Sequence, residues 1–213
     1  LQHHYILTAS GASMAEKDYG PMVVSKEPCS VADLENKTVA VPGEWTTAFL
    51  LLKIIQPNIQ HRVIRFDKII PAIMQGEVDA GLLIHEGQLQ YEEQGLHKVL
   101  SLIDHWKEVA GELPLPLGGN AIKKSLDSQT RQDLADLQEQ SIRYAMNHAE
   151  EARDYAMQFK RDLTAAEADK YLSWYANDRT LDMGEDGRVA IQTLFDLANE
   201  LNLIDHKVNL EII

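Results

Sequence analysis

Cysteine is nearly absent: Cys29 is the single one among 213 residues, so no internal disulfide can form. Stability must therefore come from a buried core, and a reducing cytoplasm is compatible with that. Apolar runs of membrane-span length are also missing, which argues against a membrane-embedded chain. Basic residues are scarce, because 20 Lys and Arg stand against 33 Asp and Glu, a formal net charge of -13. That balance repels phosphate backbones and anionic bilayers, so neither nucleic acid nor membrane is expected as a partner. No GxxxxGK[ST], GxGxxG or GxSxG motif is present, which removes the common phosphate cradles and the nucleophile elbow. His3, His4, His97 and His105 lack metal-ligand spacing with Cys or carboxylates, so no metal is expected.

What remains is ordinary globular material, 45% hydrophobic and 25% charged, enough to bury a sizeable core. Thr38 to Val41 reads as a strand, broken by Pro42-Gly43, after which Thr46-Thr47 open the apolar helix Ala48 to Ile55. Arg62 to Arg65 predicts a second strand, Asp67 to Gln75 a helix, and Ala80 to Ile84 a third strand. With no polar alternation, that third strand is expected to be covered on both faces. This alternation of strand and helix predicts an α/β fold built on a parallel layer. Strands are also expected at Tyr5 to Thr8 and Met22 to Ser25. Past Gly119 helices dominate: Asp127 to His148 carries Leu134, Leu137, Tyr144 and Ala145 on one face. Asn147 with Glu150, and Thr164 with Glu167, have capping-box spacing. The expected organisation is a smaller inserted α/β lobe, 31–110, and a larger lobe from 1–30 and 111–213. That is the plan of type II periplasmic-binding-protein-like folds, whose ligand sits between the lobes.

Chemistry concentrates at Ile84-His85-Glu86-Gly87, where an apolar strand ends in a histidine at the edge that faces the ligand in open α/β sheets. His85 suits proton transfer near neutral pH, and its alternative is a strand cap bonded to backbone. Glu86, next to it on an extended chain, points the other way. Thr46, Thr47 and Ala48 begin a helix just after a strand, so their amides and hydroxyls form a neutral socket for a carboxylate, or merely a cap. Leu113 to Gly119, including Leu117, is stiffened by proline and freed by glycine where the chain crosses between lobes, and it lines the cleft or only connects. Trp45, Trp106 and Trp174 are expected to pack as anchors, with Trp45 a second candidate for the cleft wall. The excess negative charge requires any anion to be held by local N–H groups, hydroxyls or one cation.

Several separated segments carry a resemblance. Gly20-Pro21-Met22-Val23-Val24, Val39 to Gly43 running into Thr46-Thr47-Ala48, Gln75 to Glu86, Leu113 to Gly118, and Leu181 to Glu185 together resemble the 1,4-dihydroxy-6-naphthoate synthases of the futalosine route to menaquinone. The resemblance extends over nearly all of the chain. It implies a carbon–carbon lyase acting on cyclic dehypoxanthine futalosine, with release of a three-carbon fragment and without metal or organic cofactor. It also implies that His85 is the proton acceptor and that Thr47 and Ala48 bind substrate, with Thr46, Ile84 and Leu117 beside them. The expected partner is a small carboxylate, the compartment cytoplasmic and the state monomeric or homodimeric. Family members open with a strand and a substrate-touching segment that this chain, starting at Leu1, lacks, so an N-terminal strand and helix are expected to be missing. Two alternatives share the scaffold: chorismate dehydratase, against which the Ile84 to Gly87 segment argues, and a non-catalytic solute-binding protein of a transporter.

Overall fold

The computed structural model describes residues 3–16, 19–84, 88, 91–159, 172–173 and 177–213. His85, Glu86, Gly87, Thr164, Glu167 and Trp174 lie outside the described residues. The described chain divides into two compact units, Leu1–Ala15 with Pro116–Gln192 and Val208–Ile213, and Glu16–Leu115 with Thr193–Lys207.

The second unit is built on a five-stranded sheet. In chain order its strands are β3 (Met22–Ser25), β4 (Thr38–Val41), β5 (Gln60–Val63), β6 (Ala80–Leu83) and β7 (His97–Ser101). Across the sheet they run β5-β4-β6-β3-β7. β4 pairs parallel with β5 and β6, whereas β3 lies antiparallel to both β6 and β7, so the sheet is mixed rather than parallel throughout. This pairing explains why the unit extends beyond 31–110. β3 is hydrogen-bonded on both sides inside the sheet, and the helix α3 (Leu102–Ala110) holds the following segment through the Trp106 indole, whose N–H points at the Leu113 and Pro114 carbonyls at 2.9 and 3.1 Å. A boundary at residue 30 or 110 would cut these bonds.

β4 and α1 (Thr47–Ile55) fall where their residues predict, and α1 buries Phe49, Leu51 and Leu52. β5 starts at Gln60, not Arg62, because its register is set by Thr38 opposite Gln60. The helix expected from Asp67 is a 3-10 turn, Phe66–Lys68, followed by the short α2 (Ile69–Met74). Every residue of β6 is buried, as its unbroken apolar run implies. Its glycine has a packing reason: a Cβ on Gly81 would sit 2.3 Å from Ile69 Cγ2 and 2.8 Å from Ile73 Cδ1. Val24, Ala40, Ile69, Ile73 and Leu83 share one core cluster at this contact.

In the first unit β1 (Tyr5–Leu7) pairs antiparallel with β9 (Ala121–Lys123), and β2 (Ser13–Ala15) pairs with β8 (Leu115–Gly118). The last residues join β1 on its other side: Leu7 N donates to Glu211 O at 3.1 Å and Ile213 N to Leu7 O at 2.9 Å. α4 (Ser128–Asn147) is capped by Asp127, which accepts from Thr130 N. Its apolar stripe turns outward, with Leu137 63% and Tyr144 55% exposed and Ala135 its buried residue. Asn147 is not a cap. α4 runs through it, and His148 breaks the chain before α5 (Ala149–Met157), its Nδ1 2.9 Å from Tyr144 O and its ring stacked on Tyr144. A capping box does occur, between Asn177 and Thr180 at α6 (Asp178–Leu181), which precedes α7 (Gly184–Glu200). Among the described residues no helix is long and apolar enough to cross a membrane.

Candidate active site

In the second unit, Val39 opposite Ala80 and Ala40 opposite Gly81 bring the carboxyl ends of the parallel strands β4 and β6 to one edge of the sheet. β4 leaves that edge through Pro42–Trp45 into α1; β6 leaves it through the half-buried Ile84 toward His85. Carboxyl ends of parallel strands are where open α/β sheets hold ligands.

The α1 start is built by Thr46. Its Oγ1 accepts from Phe49 N at 3.1 Å and donates to Gly43 O at 3.0 Å, and Thr46 O accepts from Leu50 N at 3.0 Å. Thr46 is thus spent on folding the turn, and its hydroxyl is not the ligand donor that the Thr46-Thr47 pair suggests. Thr47 is half-buried and Ala48 buried in the first turn, where the amides of a helix start carry partial positive charge. His61 and Glu44 support the same turn from β5, with Nε2 3.0 Å from Oε1, while the His61 ring packs on Phe49 at a centroid distance of 4.6 Å. No sequence spacing announces that pair, because the β4–β5 register creates it. Trp45 is 93% exposed and is no packing anchor, in contrast to the fully buried Trp106. Trp45 falls within the turn that the Thr46 to Gly43 hydrogen bond closes, and its indole stands outside the core.

A model of the menaquinone biosynthesis family matches residues 1–200. The chain belongs to that family. It is 38% identical over 191 residues to a 1,4-dihydroxy-6-naphtoate synthase of Streptomyces coelicolor, covering 87% of this chain and 67% of the relative. With the Thermus thermophilus protein of the same name it shares 36% over 195 residues, 92% and 70% of the two chains. A crystal structure from Archaeoglobus fulgidus superposes with a TM-score of 0.90 at 41% identity, covering 96% of this chain and 75% of that one. An alkanesulfonate-binding protein of Xanthomonas axonopodis, bound to MOPS, gives a TM-score of 0.67 at 15% identity over 96% and 71% of the two chains. That likeness shows the fold, which is α/β and periplasmic-binding-protein-like.

Within this member of the menaquinone biosynthesis family, Thr46, Thr47, Ala48 and Ile84 come together at one sheet edge. Leu117 lies on β8 in the other unit, half-buried. Past β6, Tyr91 is buried and donates to Glu92 at 2.8 Å. Burial, then the Glu92 hydrogen bond, push its phenol above the ordinary value, so it stays protonated and is no base at neutral pH. A polar group in the first unit is self-satisfied: Thr8 Oγ1 and Gln138 Nε2 both donate to Ser10 O at 2.8 Å. Among the described residues no cluster of His, Cys, Asp or Glu could hold a metal ion.

Proposed function

We propose that this chain catalyses the reaction for which its two relatives are named, converting cyclic dehypoxanthine futalosine to 1,4-dihydroxy-6-naphthoate with loss of a three-carbon fragment. One observation carries the reading at the level of geometry. The capped start of α1 and the segment that follows β6 leave the same sheet edge, which supports a reading in which carboxylate donors and a base follow adjacent parallel strands. A carboxylate at the α1 start gains about 0.3–1 kcal/mol from the helix dipole in exposed settings, and up to about 2 when partly buried. That is positioning energy rather than chemistry.

In this reading His85, as neutral imidazole, takes a proton from the docked substrate to start ring opening; the carbon–carbon bond to the three-carbon fragment then breaks, and the imidazolium gives its proton back as the fragment departs. Aromatisation of the product drives the step. Thr47 and Ala48 hold the carboxylate through the first turn of α1, and Ile84 supplies apolar contact. The enzyme works in the cytoplasm as a monomer or homodimer without metal or organic cofactor.

The test is direct. Incubation with cyclic dehypoxanthine futalosine yields naphthoate absorbance, and His85→Asn abolishes it while ligand still raises the melting temperature. Full activity in His85→Asn would remove His85 from the mechanism. A wild-type chain that binds ligand but forms no product would favour the solute-binding alternative.

A further inference from the structure

The turn between β4 and α1 is not anchored by its own large apolar side chain, because Trp45 is 93% exposed. Two polar bonds hold it instead. Thr46 Oγ1 donates to Gly43 O at 3.0 Å within the turn, and Glu44 Oε1 lies 3.0 Å from Nε2 of His61 on the neighbouring strand β5. A carboxylate only accepts, so the imidazole donates from Nε2.

His61 is placed to act as a strut. Its backbone belongs to β5, opposite Val39 of β4, and is fixed there by the sheet. Its ring makes a second contact, tilted at 50° against Phe49 with centroids 4.6 Å apart. Phe49 is buried in the first turn of α1, and its amide donates to the Thr46 cap. One imidazole therefore touches both sides of the connection, the turn at Glu44 and the helix at Phe49. The two side chains are 26% and 56% exposed, and a pair this open adds little to global stability. Its consequence is local: it sets where the start of α1, with Thr47 and Ala48, stands relative to the strand beside it.

We infer that His61 is a positioning residue, whose bond to Glu44 fixes the α1 start so that a carboxylate docked there is presented correctly to the base. The inference rests on the functional reading above and adds to it a residue that acts through Glu44 and Phe49 rather than on the substrate.

Steady-state turnover of cyclic dehypoxanthine futalosine and thermal unfolding test it together. His61→Phe keeps a ring for Phe49 and deletes the bond to Glu44, while Glu44→Ala deletes the same bond from the other side. Misplacing a substrate by about 1 Å can slow chemistry about 100-fold, so each variant should lower kcat by about 10- to 100-fold. The melting temperature should move by less than about 4 °C, as befits an exposed pair. The double variant should be no slower than either single one, because the bond is already gone. Glu44→Gln, which keeps an oxygen for the imidazole N–H, should restore kcat to within about threefold of wild type. Glu44 is exposed, so Glu44→Ala and Glu44→Gln carry the test even where His61→Phe fails to fold. Wild-type kcat in either single variant, or losses that multiply in the double one, would overturn the His61 assignment alone. Absence of wild-type turnover would overturn the functional reading and this inference with it.

Discussion

Of the glycines in the second unit, Gly81 leaves the least room for a side chain, and it yields the sharpest prediction. Gly81 lies in the middle of β6, and a methyl group added there meets Ile69 Cγ2 at 2.3 Å and Ile73 Cδ1 at 2.8 Å. Carbon atoms pack at about 3.5–4.0 Å, so Gly81→Ala demands more than about 1 Å of movement. Neither isoleucine can give easily. Ile69 and Ile73 are buried, β-branched and carried on α2, so the whole helix must lift from the sheet. Overpacking of this kind costs about 1–3 kcal/mol, and at about 2–4 °C per kcal/mol the melting temperature should fall by about 2–12 °C. A double-mutant cycle isolates the clash: Ile69→Ala, which removes Cγ2, should cost less in the Gly81→Ala background than in wild type, by about 0.5–3 kcal/mol. Thermal unfolding followed by circular dichroism reads all four forms. An unshifted Gly81→Ala midpoint, or strictly additive changes, would refute the packing argument.

Two further outcomes follow from named bonds. Thr46→Ala removes the acceptor for Phe49 N and the donor to Gly43 O, so it should destabilise by about 0.5–2 kcal/mol, while Thr46→Ser, which keeps both, stays near wild type in urea titrations. Arg179 donates to the Asp186 carboxylate and to Met183 O, tying α6 to the start of α7. The Arg179 hydrogen bonds hold the Asp186 carboxyl below the usual range. A depressed carboxylate contributes stability that is full above the unfolded value and lost as pH falls through the folded one. Asp186→Asn should therefore cost about 0.2–1 kcal/mol at pH 7, for a partly exposed pair, and the gap from wild type should close as denaturation is repeated at progressively lower pH below about 4.

How far the residues alone carried the fold depends on the range of the interactions involved. β4, the Thr46 cap and α1 are local, since cap, apolar run and turn residues sit within one short segment. β6 was legible for a similar reason: an apolar run without alternation has only one place to go. β7 was not, because His97 and Lys98 are exposed and the strand exists only through its pairing with β3 at the sheet margin. β8 was hidden by Pro116 and Gly118, residues that ordinarily argue against a strand. The stripe Leu134, Leu137 and Tyr144 has correct helical spacing, yet spacing cannot say which way a helix faces. Near the candidate site, the Thr46 cap and the α1 start could be read along the chain. The His61–Glu44 pair could not, because the β4–β5 register brings together residues 17 positions apart.

A neutral donor set would reconcile the chain's net charge with the carboxylate ligand proposed for it. A chain of net charge -13 repels carboxylates at a distance, yet the reading here gives it a carboxylate substrate. The long-range term is screened within a Debye length of about 8 Å at physiological salt, so it slows encounter without deciding affinity. Affinity is set where donor meets acceptor, and the docking place proposed at the α1 start would supply oriented amide dipoles with no ionic partner to desolvate. A lysine in the same place would bring more attraction from afar, but it would also add a mobile charge and a hydration shell to strip. Backbone amides at a helix start are fixed by the helix itself before any ligand arrives, and in the proposed mechanism preorganised dipoles of this kind would hold the substrate against the base.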